Sequence, residues 1–104
     1  MDVCHAEDNG LVFGHPVMEP RRSTPMEVKL STDMVMAWTN FAKHGDPGKW
    51  TSTGSAVNWT GAFAGSGTDH SSVSFMELNA NHYRMVEGFY KKSCDGFWKA
   101  KLFA

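Results

Sequence analysis

The stretch from Leu30 to Pro47, LSTDMVMAWTNFAKHGDP, constrains this chain most, because one face and both ends of a helix are written into it. Ser31 or Thr32 suits the N-cap, where a short hydroxyl side chain accepts from a backbone N–H that has no helical partner. Asp33 sets a negative charge against the positive end of the helix dipole. Met34, Val35, Trp38, Phe41 and Ala42 then fall on one apolar stripe at helical spacing. Lys43 and His44 put positive charge in the last turn. Gly45 can take the left-handed conformation that ends a helix, and Pro47 blocks its continuation. The spacing predicts a helix whose stripe lies on a core, and nothing in the stripe does chemistry.

The flanks are less regular. Leu11 to Phe13 is a short apolar run, read as a strand or the start of a buried turn. His15 to Lys29 holds Pro16, Pro20, Pro25 and the pair Arg21-Arg22, and prolines so spaced predict a surface connection with no regular helix. Gly48 to Ser74 is poor in large apolar residues and rich in Gly, Ser and Thr, which predicts a long surface loop. Gly61, Gly65 and Gly67 within it lack the flanking pattern of a phosphate loop. Asn58-Trp59-Thr60 is an N-glycosylation triplet. Ser74 to Asn79 alternates as a short strand does. From Asn81 to Phe103 an approximate helical stripe of Met85, Val86, Phe89, Tyr90, Phe97, Trp98 and Leu102 predicts a second helix, weakened by Gly88 and Gly96.

Length and charge exclude several classes. A chain of 104 residues makes at most one small domain. A net charge of −1 with no basic patch gives nucleic acid and anionic membranes no electrostatic footprint. No apolar run is long enough to span a bilayer. Met1 to His5 have neither a basic nor an apolar leader region, so no signal peptide is read here, which taken alone implies the cytosol. Cys4 and Cys94 form no CxxC and no zinc spacing; pairing with each other, pairing elsewhere and burial as thiols all stay open. There is no HExxH, and His15, His44, His70 and His82 fall at no metal-ligand spacing, so no metal or cofactor is expected. GxSxG is absent, so no serine is nominated as a nucleophile.

The wording of the helix carries more than its periodicity. Trp38-Thr39-Asn40-Phe41-Ala42-Lys43 followed by Gly45-Asp46-Pro47 resembles the C-terminal region of type-B carboxylesterases, the family that includes cholinesterases and neuroligins. His5-Ala6-Glu7-Asp8 and then Val12-Phe13-Gly14 resemble the stretch around the last member of that family's catalytic triad. Asn9, Gly10 and Leu11 depart from the family wording, and so does Asp2, where cholinesterase-like members carry glycine. Trp50 or Trp59 resembles the tryptophan after the Gly-Asp-Pro turn. Leu78-Asn79 resembles the end of the penultimate strand, and Arg84, Cys94, Phe97 and Trp98 the last helix, with one extra residue between Cys94 and Phe97.

The resemblance implies an α/β class: the C-terminal portion of an α/β-hydrolase fold, with residues 1–104 forming part of one carboxylesterase domain. Of that fold this chain itself is expected to hold two helices, one or two short strands and long loops. It implies that His5 is the triad base, with serine and acid supplied from upstream in the order Ser, acid, His. The substrate is then a small-molecule ester, no nucleic acid is bound, and the chain alone, without a nucleophile, does not catalyse. Cys94 resembles a disulfide cysteine whose partner lies upstream, and the parent protein is expected to be secreted or anchored outside the cell, with Asn58 as a glycan acceptor. A non-catalytic adhesion protein of the neuroligin kind, with a protein partner, is the alternative.

Overall fold

A computed structural model describes residues 4–52, 55–63, 73–87 and 101. The elements in order are α1 (Glu7–Val12), α2 (His15–Met18), a 3-10 turn (Pro20–Arg22), α3 (Pro25–His44), β1 (Lys49–Ser52), β2 (Ser55–Asn58), β3 (Ser74–Asn79) and β4 (His82–Glu87). Among the described residues this exceeds the expected two helices and one or two strands.

α3 is the predicted helix, but it begins at Pro25. Its N-cap is Thr24, where Ser31 or Thr32 was expected. The Glu27 N–H donates to Thr24 Oγ1 at 3.2 Å, and the Glu27 carboxylate accepts from the Thr24 N–H at 2.6 Å and from its hydroxyl at 2.8 Å. Those bonds from the Thr24 backbone and side chain hold the Glu27 carboxyl below its ordinary range. Pro25 starts this helix because the first helical N–H needs no partner and the ring already holds a helical φ. Pro16 and Pro20 likewise sit at the starts of α2 and the 3-10 turn. The prolines of His15–Lys29 thus open helical elements, two short ones and the 20-residue α3, which corrects the surface connection expected there.

The C-terminus is as read: Gly45 is left-handed at φ 71°, and its N–H reaches the Phe41 carbonyl at 2.8 Å. Beyond it, Asn40 Nδ2 donates to the Pro47 carbonyl at 3.3 Å and Asp46 Oδ1 accepts from the Gly48 N–H at 2.7 Å, closing the turn against the helix.

Leu11 to Phe13 is neither strand nor simple turn, since Leu11 and Val12 end α1. Gly14, buried and left-handed at φ 77°, breaks α1 from α2 and faces Val35 of α3. Ser31 is fully buried and donates its hydroxyl to the Leu11 carbonyl at 2.7 Å, so it ties α1 to α3 and caps nothing. Met34 and Ala37 are the buried apolar residues of α3. Of the predicted stripe only Met34 is buried: Val35, Trp38, Phe41 and Ala42 are exposed, Trp38 at 43% and Phe41 at 59%.

The stretch 48–74, expected as a loop, opens with an antiparallel hairpin. β1 and β2 pair with Lys49 opposite Asn58 and Trp50 opposite Val57. The predicted strand Ser74–Asn79 is β3, and it pairs with β4 across the two-residue connection Ala80-Asn81, a length that only antiparallel strands can use. Asn79 Oδ1 accepts from the Asn81 N–H at 2.9 Å to shape the turn. His82–Glu87 therefore corrects the start of the expected Asn81–Phe103 helix: Tyr83 and Met85 are half-buried while His82 and Arg84 are exposed, the alternation of a strand. Of the rest of that expected helix, Lys101 alone is among the described residues, and it is helical.

The chain groups into two compact units. The first, Met1–Trp59 with Leu78–Tyr83, contains α1 to β2 and the tip of the β3–β4 hairpin. In the second, Thr60–Glu77 with Arg84–Ala104, Ala62 O accepts from the Ser74 N–H at 3.0 Å and Arg84 Nε donates to Glu77 Oε2 at 2.7 Å.

Candidate functional site

His5 stands in the turn that leads into α1, with its side chain exposed. The turn is held by an exchange between Cys4 and Glu7. The Cys4 N–H donates to Glu7 Oε2 at 3.3 Å, and the Glu7 N–H donates to the Cys4 carbonyl at 3.4 Å. One Glu7 carboxylate oxygen is thereby bonded to the backbone of the turn. Between them, Ala6 is left-handed at φ 66° and ψ 11°, the one non-glycine residue with positive φ among the described residues. Such a conformation costs on the order of 1 kcal/mol, and residues held in it tend to cluster at functional sites. The strain sits directly beside the imidazole that the motif singles out.

His15, just past the motif, leans over α1: a Cβ at Gly10 would lie 3.7 Å from its Nδ1. His44 and His82 are exposed, and His70 lies outside the described residues. Among the described residues no group of three His, Cys, Asp or Glu side chains is arranged to hold a metal, and no helix is long and apolar enough to cross a membrane. Asn58 is exposed at the end of β2. Cys94 lies outside the described residues.

A second cluster was not read from the sequence. Asp33, expected at the helix start, lies instead within α3 and is only 7% exposed. Its Oδ2 accepts from Lys29 Nζ at 3.0 Å and from the Tyr83 hydroxyl at 2.7 Å, and Lys29 also donates to Tyr83 Oη at 3.1 Å. The same ammonium lies 4.5 Å from the centre of the Tyr83 ring. The three side chains clamp the hairpin tip onto α3. Burial and the bond to Asp33 raise the Tyr83 pKa against the opposing effect of Lys29. Burial alone would lower that of Lys29, but its bonds to Tyr83 and Asp33 outweigh it and the net direction is upward. The i, i+4 spacing of Lys29 and Asp33 is a legible helix pair; Tyr83 becomes visible only once His82–Glu87 is read as a strand.

Comparison with known proteins shows the family. A family model described as the carboxylesterase family matches residues 1–98. Acetylcholinesterase 1 of Caenorhabditis elegans is 32% identical over 111 residues, covering 98% of this chain and 16% of the worm protein. Bile salt-activated lipase of Mus musculus is 43% identical over 47 residues, 45% of this chain and 8% of the lipase. Neuroligin-3 of Macaca mulatta is 40% identical over 53 residues, 46% of this chain and 26% of that protein. The chain thus spans a small part of the relatives it matches. From the motif around His5 to the Gly-Asp-Pro turn after α3, this chain belongs to the carboxylesterase family.

Proposed function

We propose that the chain is the C-terminal part of a serine carboxylic-ester hydrolase nearest the cholinesterases, in which His5 is the general base. The observation that carries this reading is the family match over residues 1–98, which contains the His5–Gly14 motif, together with an alignment to an acetylcholinesterase along nearly the whole chain. Family membership implies the α/β-hydrolase fold, and the helices and small antiparallel sheets described above are compatible with a portion of it.

In that setting the His5 imidazole takes the proton from an upstream serine as the serine attacks the ester carbonyl, and returns it to the departing alcohol. An imidazole suits both steps because it gains and loses a proton near neutral pH. An upstream carboxylate orients the ring, as in other Ser-His-acid triads. The exposed position of His5 and the left-handed Ala6 beside it support a side chain presented outward to meet these groups. This chain alone hydrolyses nothing, since it carries no GxSxG nucleophile. The parent protein is secreted or anchored outside the cell, and Cys94 is oxidised to a cysteine upstream.

The alternative is a non-catalytic adhesion protein of the same fold with a protein partner, favoured by the neuroligin-3 match. The coding sequence upstream of Met1 separates the two. A GxSxG elbow there, with a serine labelled by an organophosphate, supports the esterase; an elbow lacking its serine supports adhesion.

A further inference from the structure

The geometry points to Asn58 as an acceptor for an N-linked glycan. Successive side chains of a strand point to opposite faces, and Val57 is buried at 6% exposure, so its neighbour Asn58 faces outward. It is the last residue of the strand, opposite Lys49, and it is exposed. Trp59 is half-buried and sets its ring edge-on to Trp38 of α3, with centroids 5.9 Å apart and planes at 66°. The chain is therefore pinned on both sides of Asn58, by Val57 before it and by Trp59 after it, and the carboxamide is left on the open side. Thr60 supplies the hydroxyl residue that the acceptor triplet needs.

No other described asparagine matches. Asn9, Asn40, Asn79 and Asn81 have no serine or threonine two positions on. The Asn40 amide is also spent on the Pro47 carbonyl, and Asn79 Oδ1 on the Asn81 N–H.

The modification is a glycosyl transfer from an oligosaccharide carried on a lipid pyrophosphate. A bond forms between Asn58 Nδ2 and the anomeric carbon of the first sugar while the bond from that carbon to the pyrophosphate oxygen breaks. The amide gives up one proton, and the lipid pyrophosphate leaves as its anion. Nothing is oxidised or reduced. The inference rests on the proposed extracellular location for the compartment and on the hairpin for the site.

The test separates those two dependences. The full chain is translated behind a cleavable signal peptide with microsomal membranes, which imposes the compartment. A mobility shift of one glycan is expected, absent in Asn58→Gln and Thr60→Ala, kept in Thr60→Ser, and removed by an endoglycosidase without denaturant. No shift in wild type, a shift that persists in Asn58→Gln, or a glycan released only after denaturation overturns the assignment. Mapping the protein from its native source then tests location: an unmodified Asn58 there, with the microsomal result positive, removes the extracellular reading and leaves the acceptor geometry standing.

Discussion

Replacing Tyr83 with phenylalanine deletes one oxygen atom and keeps the ring under the Lys29 ammonium. Two hydrogen bonds disappear, one donated to the Asp33 carboxylate at 2.7 Å and one accepted from Lys29 at 3.1 Å. A hydrogen bond to a charged group is worth about 1.5–3 kcal/mol net. Asp33 keeps its ion pair with Lys29 at 3.0 Å, so the carboxylate is not stranded, and the lower figure applies, about 1.5 kcal/mol. Asp33→Asn removes the charge from a side chain that is 10% exposed and leaves Lys29 unpaired. Breaking a fully buried pair costs about 3–5 kcal/mol. Because the Lys29 side chain is 25% exposed and can turn to water, the lower end of that range is expected.

The readout is amide hydrogen exchange over residues 78–83 and 29–33, since local opening reports the clamp without requiring global unfolding. Exchange should quicken about tenfold in Tyr83→Phe, the factor that about 1.4 kcal/mol corresponds to, and more in Asp33→Asn. The double mutant should fall short of the sum, because both changes break the same bond. Additivity within about 0.5 kcal/mol would mean that Tyr83 and Asp33 act independently, and the clamp would be refuted.

The remaining predictions concern the clamp at high pH and the ends and faces of α3. The pKa of Tyr83 lies above its ordinary 10.0 and that of Lys29 above 10.5, so the folded state holds both protons more tightly than the unfolded chain does. The clamp's contribution is therefore full below those values and lost as pH rises through the folded ones. A tyrosinate absorbance titration should show a late component that disappears in Tyr83→Phe; identical titrations would contradict it. Thr24→Ala should speed exchange in the first turn of α3 about fivefold and leave the last turn unchanged. The Glu27 carboxyl is held low first by the Thr24 backbone N–H and then by its hydroxyl, so that protection should fade in wild type as pH drops through the depressed value, and the mutant, which keeps the N–H, should fade at a higher pH. Phe13, Trp38 and Phe41 are exposed in this chain, so the isolated chain should bind an apolar fluorescent dye. Dye binding no greater than that of a well-packed globular protein would contradict an uncovered face.

How much was legible follows from where each signal lies along the chain. The end of α3 was readable because Gly45 and Pro47 act locally and have one common meaning. Its start was missed because Pro25 has two meanings, breaker in a helix interior and favoured first residue, and only the Thr24–Glu27 exchange decides between them. β1 and β2 are four residues each, too short for alternation to rise above a polar background. β4 was taken for a helix because Met85 and Val86 fit the start of a 3.6-residue stripe as well as a strand. The clamp joins residues 50 apart in sequence, and no local pattern encodes it. The His5 motif was legible through wording rather than periodicity. Trp38 and Phe41 were read as core, and in this chain nothing covers them fully.

The central claim is that His5 is the base of an ester hydrolase, and hydrolysis of a short-chain acyl ester by the full-length protein tests it most directly. His5→Ala leaves the serine without a proton acceptor, and kcat should fall on the order of 10⁴-fold or more with little change in KM. His15→Ala, at a side chain that leans on α1 beyond the motif, should keep most activity. Comparable kcat in wild type and His5→Ala would contradict the assignment, and a wild type with neither a GxSxG serine nor activity would put the adhesion reading in its place.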